Sequence, residues 1–160
     1  MIAALGPTVE QRFAIEDLYA AYVDILDSAR FDEWPQLFVE DCVYRIVPRE
    51  NWERGLPLST LAFESRGMLE DRIYAITETL FHEPYTMRHT VSNFTIRPDG
   101  EAFRVEANYV VIRTKRGVSE LYSVGRYRDV IALDEGAFRF SEKIAVFDNE
   151  LIPNSLIYPI

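Results

Sequence analysis

The sequence predicts an α+β domain in which N-terminal helices pack into a strongly curved, mostly antiparallel sheet. Two periodicities predict it: apolar residues recur every three or four positions in three segments before residue 81, and every second position from Tyr85 onward. The third observation is the placing of "PDGE", "KRG" and "DEG", turn signals that divide residues 85–148 into long strands. Helices followed by a meander make an α+β fold, and long strands twist enough to curl around helices and hide an apolar face.

Ile15, Leu18, Tyr22, Ile25 and Leu26 fall on one face of a helix from Val9 to Asp27, opened by Thr8 as cap after Gly6 and Pro7. "FDEWPQLF" carries Phe31, Trp34, Leu37 and Phe38 on a second short helical face, with Pro35 limiting how it starts. "DCVYRIV" is rich in β-formers and stops at Pro48, which predicts a strand. Residues 49–67 mix charge, proline, glycine and scattered apolar side chains without period, a long excursion of the kind that serves function or contact. "MLEDRIYAITETL" restores helical spacing through Leu69, Ile73, Ile76 and Leu80.

In the sheet region Phe103, Val105, Ala107, Tyr109 and Val111 alternate with Arg104, Glu106 and Asn108. The tail, residues 149–160, is nearly uncharged and apolar, so it is expected to dock on a partner, with Tyr158 in the contact. No repeat or shift in composition divides the chain, and residues 1–160 are read as one domain.

Composition narrows the function classes. Hydrophobic residues make up 48% of the chain, too many for a disordered protein, yet no apolar run is long enough to span a membrane. The start lacks a basic region and a sustained apolar stretch, so no secretory leader is expected and the cytoplasm is the expected compartment. A formal charge of -9 and the lack of any basic run argue against nucleic acid. Cys42, the single cysteine, is expected to be a small core side chain.

The candidate chemistry is sparse. His82 and His89 are the only histidines, and with Cys42 they do not have the spacing of a metal-ligand set, so no metal and no cofactor are expected in this chain. No phosphate-binding glycine loop, dinucleotide fingerprint or nucleophile elbow is present. Two readings stay open for "MRHTVSNF": His89 forms an acid/base centre with Asp24 and Tyr22 of the first helix, or it is a structural histidine. Arg49, Trp52, Arg54, Arg66 and Arg72 mix guanidinium with aromatic character, as interface cores do, although a solvated loop would also carry such charges.

Four blocks carry a resemblance: "FDEWPQLFVEDCVYRIVPREN", "SRGMLEDRIYAI", "MRHTVSNFTI" and "YSVGRYRDVIALDEGAFRFSEKIAVFD". In their order and spacing the chain resembles the small (beta) subunits of aromatic-ring-hydroxylating dioxygenases, the Rieske non-haem iron oxygenases. The resemblance implies a cone-shaped fold like that of nuclear transport factor 2, ketosteroid isomerase and scytalone dehydratase. It implies a non-catalytic, structural role in an enzyme that dihydroxylates a benzoate-like aromatic acid with electrons from NAD(P)H. The Rieske 2Fe-2S cluster and the mononuclear iron are then expected in a large (alpha) subunit, with a self-trimer of small subunits inside a hexamer of three large and three small chains.

On this resemblance Pro48, Arg49, Glu50 and Asn51, then Arg66, Met68, Asp71 and Arg72, shape contact surfaces; Arg88, His89 and Asn93 organise the mouth of the cone; and Arg126, Tyr127 and Asp129 belong to the last hairpin. The alternative is a free-standing isomerase, dehydratase or hydrolase of the same fold, using Asp24 and His89 as its acid/base pair.

Overall fold

The structure is a computed structural model that describes residues 6–149 and 156–160. The first helix, α1 (Val9–Asp27), begins where expected: Thr8 accepts from the Gln11 amide at 3.1 Å, and the Gln11 side chain accepts from the Thr8 amide at 2.9 Å. This reciprocal cap satisfies two amides that the first turn would otherwise leave free. The helix buries Ile15, Leu18, Tyr19, Tyr22, Ile25 and Leu26. After a short turn, Phe31–Leu37 forms a 3-10 helix containing Pro35, and β1 (Phe38–Pro48) follows.

Residues 49–67 are less irregular than their sequence suggests. They hold a one-turn helix, α2 (Arg49–Glu53), a three-residue strand, β2 (Leu61–Phe63), and the start of α3 (Arg66–Tyr74). The strand exists because β1 offers an edge: Tyr44, Arg45 and Ile46 pair with Phe63, Ala62 and Leu61. Elements this short leave no periodic trace. The helix predicted through Leu80 changes hand-hold at Ala75, where a π turn covers Ala75–Thr79 and the Leu80 amide reaches the Ala75 carbonyl at 2.7 Å. Thr77 and Thr79 return their hydroxyls to the carbonyls of Ile73 and Ala75, the local competition that loosens a helix end.

The second half is β3 (Thr86–Asp99), β4 (Ala102–Lys115), β5 (Val118–Asp134) and β6 (Ala137–Phe147), each joined to the next at a predicted turn. The Arg116-Gly117 and Glu135-Gly136 turns have positive φ at both residues, the tight geometry that matches strand twist. One six-stranded sheet results, in the order β2-β1-β6-β5-β4-β3, with β1 parallel to β6 and every other pair antiparallel.

Register shifts in β3 between Ser92 and Thr95, in β4–β5 beside Val111, and in β5–β6 beside Val130 bend the long strands. The bent sheet forms a cone whose inner face packs on α1 and the 3-10 helix. Trp34, Tyr44, Tyr109, Tyr122, Tyr127 and Phe140 fill it, each fully buried. Cys42 is part of this core, and burial pushes its thiol up to about 11.

Candidate functional site

Strand alternation separates two candidate regions, the cone interior and the opposite, open face of the sheet. His89 points inward and Arg88 outward, because neighbours on a strand face opposite sides. His89 meets Asp27 rather than Asp24: its Nδ1 lies 2.6 Å from Asp27 Oδ1, and its backbone N–H donates to Asp27 Oδ2 at 3.0 Å. Asp24 lies on the surface, paired with Arg30 and with a side chain 70% exposed. Asp27 ends α1 and faces β3, whereas Asp24 is turned to solvent. The third member of the expected centre, Tyr22, is buried and donates to the Ile160 carbonyl oxygen at 2.8 Å. The structure therefore does not assemble Asp24, His89 and Tyr22 into one acid/base site.

A second buried pair lies deeper. Lys143 Nζ is 3.0 Å from Asp129 Oδ2, and both side chains are 0% exposed. Tyr19 donates to the same oxygen at 2.5 Å and the Ile144 amide to the other at 3.0 Å. The ammonium lies 3.3 Å from the centroid of the Tyr127 ring, with Tyr19, Tyr22 and Phe140 within 5.0 Å. These rings supply cation–π attraction in place of water. Burial lowers Lys143 to about 8 and raises Asp129 from its ordinary value. Alternation back from Phe147 puts Lys143 on the inner face, and Asp129 shares parity with Tyr127 and Ile131. The signal for this pair is therefore in the sequence, though its charges disguise it.

The described part of the tail also turns inward. Leu156–Ile160 enters the cone, Ile160 is 0% exposed, and the Tyr158 ring sits between Phe31 and Tyr85 at centroid distances of 4.6 and 4.3 Å. Tyr158 is thus an internal contact and not the partner contact its apolar surroundings suggest; residues 150–155 of that tail lie outside the described residues. Arg72, likewise expected on a contact surface, is half-buried and donates through Nη2 to the carbonyls of Leu156 and Ile157 at 2.9 and 2.8 Å. His82 Nε2 lies 3.0 Å from the Tyr158 hydroxyl.

The other expected contact residues distribute over the surface. Arg49 pairs with Glu53 at 2.7 Å and reaches Asp148 at 3.5 Å, Glu50 pairs with Arg54, and the Asn51 amide donates to the Leu58 carbonyl. Arg66 grips the Phe38 carbonyl and lies 3.3 Å from Glu40, so it fastens α3 to β1. Met68, Asp71, Arg88 and Arg126 are exposed. Asn93 adopts φ 59 at the bulge in β3, a left-handed conformation that asparagine tolerates better than most residues. Arg88 and Asn93 are exposed while His89 is buried, so the three do not share one environment.

The open face joins several of these positions. Trp52 lies over it, with the Arg128 guanidinium 5.6 Å from its ring centroid, and shields the small apolar cluster of Val47, Ile144 and Val146. A groove of about 740 Å³ runs beside it, lined by Arg49, Trp52, Asn108, Val110, Val124 and Arg126 among others. Farther along, register partners Ile112 and Leu121 stand 41% and 56% exposed. Apolar side chains set among arginines and a tryptophan are the composition of an interface core.

Among the described residues no group of three or more His, Cys, Asp or Glu side chains could hold a metal; His89 gives Nδ1 to Asp27 while its Nε2 is buried without a hydrogen-bond partner, and no second ligand accompanies it. The donor set does not fit an iron or an iron–sulfur cluster. No helix among the described residues is long and apolar enough to cross a membrane.

Comparison with known proteins agrees with this geometry. Residues 7–143 match the SnoaL-like domain family. The chain is 35% identical to the anthranilate 1,2-dioxygenase small subunit of Burkholderia cepacia, over 92% of this chain and 93% of that one. It is 31% identical to a terephthalate 1,2-dioxygenase terminal oxygenase beta subunit from a Comamonas species, over 88% and 93%. The crystal structure of a beta subunit assigned to an aromatic-ring-hydroxylating dioxygenase of Novosphingobium aromaticivorans superposes with a TM-score of 0.84 at 36% identity, covering 92% of this chain and 95% of that one. A curled sheet around a sealed core, with near end-to-end likeness to such subunits, places the chain in the SnoaL-like domain family and, within it, among the small subunits of aromatic-ring-hydroxylating dioxygenases.

Proposed function

We propose that this chain is the supporting subunit of a Rieske-type dioxygenase that dihydroxylates a benzoate-like aromatic acid. The large subunit holds the Rieske cluster and the mononuclear iron, and three small subunits form a trimer within a hexamer of three large and three small chains. The observation that carries this reading is the sealing of the cone. Its two acid–base pairs have side-chain exposures of 0% and 7% for His89 and Asp27 and 0% for Lys143 and Asp129, so neither pair is open to solvent. The relatives named for anthranilate and terephthalate act on aromatic carboxylates, which supports the substrate class.

The open sheet face is the surface through which the subunit meets its partners. Trp52, Arg126, Ile112 and Leu121 are its anchors, and its exposed ion pairs, each worth about 1 kcal/mol or less, set orientation more than affinity. Co-expression with the large subunit, followed by native mass measurement, tests the reading. A mixed assembly with equal numbers of the two chains is expected. A small chain that stays monomeric and never co-purifies with the large one would overturn it.

A further inference from the structure

We propose that the inner end of the cone is a peptide-binding site, and that Leu156–Ile160 is its built-in, detachable ligand. The segment belongs to none of the six strands. Among the described residues, every hydrogen bond recorded to its backbone comes from or goes to a side chain. Tyr22 and Tyr44 donate to the Ile160 carbonyl oxygen at 2.8 and 3.0 Å, and the Ile160 amide donates to Tyr44 Oη at 2.9 Å. The Tyr158 amide donates to Tyr85 Oη at 3.1 Å, and Arg72 holds the carbonyls of Leu156 and Ile157.

Strand addition would have used a sheet edge. Here the backbone is read by side chains from α1, β1, α3 and the approach to β3, and one aromatic side chain is gripped between two rings, as a separate peptide would be. These elements reach their places through sheet pairing and the helix cap, in which the segment takes no part.

The site also holds a donor that the segment does not use: Arg72 Nε is buried without a hydrogen-bond partner among the described residues. The ligand class is a short apolar peptide with an aromatic residue two positions before its last hydrogen-bonded carbonyl. Covalent attachment gives the chain's own segment an effective concentration on the order of millimolar, so a free peptide competes poorly with it.

Hydrogen exchange on the full chain tests this. The Tyr158 and Ile160 amides should exchange at least ten times faster than the inner β4 and β5 amides, through local detachment, and Tyr44→Phe should speed Ile160 further without changing the sheet. Exchange of both at the rate of the sheet amides would show that the segment leaves only on global unfolding, and would overturn the proposal. In the full-length Tyr158→Ala, Ile160→Ala variant, an end-blocked Leu-Ile-Tyr-Pro-Ile peptide should bind saturably and raise Tm, with no binding to the unaltered protein. A folded variant that takes no peptide contradicts the proposal, and if the variant does not fold, the exchange measurement decides alone.

Discussion

Asp27 accepts two hydrogen bonds from one residue: the His89 ring at 2.6 Å and the His89 backbone amide at 3.0 Å. One carboxylate thereby ties the last turn of α1 to β3 and fixes which face of the strand carries the imidazole. Asp27→Ala leaves two buried donors unanswered and should cost about 3 kcal/mol, a fall in Tm of roughly 10 °C. Asp24→Ala, which removes only an exposed pair with Arg30, should stay within about 0.5 kcal/mol. Thermal unfolding of the two variants side by side checks the pairing, and equal losses would contradict it.

Lys143 and Asp129 should behave as a unit. Lys143→Met strands a buried carboxylate and should cost about 3–5 kcal/mol, whereas Lys143→Met with Asp129→Leu should recover much of the loss. Denaturant unfolding of the single and double variants measures the difference.

The same lysine gives stability a pH dependence of known sign. Burial sets it at about 8 in the folded protein against 10.5 for the free side chain, so between those values the unfolded chain binds more protons. The contribution of this group to stability therefore rises with pH through that window. From pH 8 to 9, before most tyrosines ionise in the unfolded chain, Tm should climb more steeply, or fall less, in the unaltered protein than in Lys143→Met. Parallel curves would contradict the assignment.

Much of this fold is legible in the sequence because its long elements repeat one period many times. The bounds of α1, the Thr8 cap and the turns of the meander follow from local residues alone. What escapes is set by tertiary contact: β2 exists because β1 offers an edge, and α3 yields to a π turn where threonines compete for its carbonyls. Among the site residues, His89 is found in the sequence but not its partner, since Asp24 and Asp27 lie within one turn and only the packing of α1 on β3 chooses between them. Arg72 and Tyr158 look like contact residues and are, but their contacts lie within the chain.

Gly125 lies where β5 and β6 approach too closely to admit a side chain. A Cβ there would lie 1.9 Å from the Val146 carbonyl oxygen and 2.8 Å from Phe147 Cα, both backbone atoms that cannot rotate away. Gly125→Ala should cost about 3 kcal/mol or more by forcing β5 and β6 apart, read by chemical denaturation. A neutral result would mean that the strands separate freely at this point.

The open face can be tested without disturbing the core. Ile112→Lys with Leu121→Glu places opposite charges on facing strand positions, which avoids cross-strand repulsion. Stability should change by about 0.5 kcal/mol or less, while association with partner subunits should weaken roughly thirtyfold, the effect of removing an interface anchor worth about 2 kcal/mol. Analytical ultracentrifugation of the co-expressed subunits reads it.

The measurement that bears most directly on the supporting role is the iron content and oxygenase activity of this chain purified alone and again with its large subunit. Alone, the chain should be colourless, free of stoichiometric iron and inactive, and the mixed assembly should carry all the iron and all the turnover. Stoichiometric iron bound to this chain by itself, or turnover without the large subunit, would contradict it.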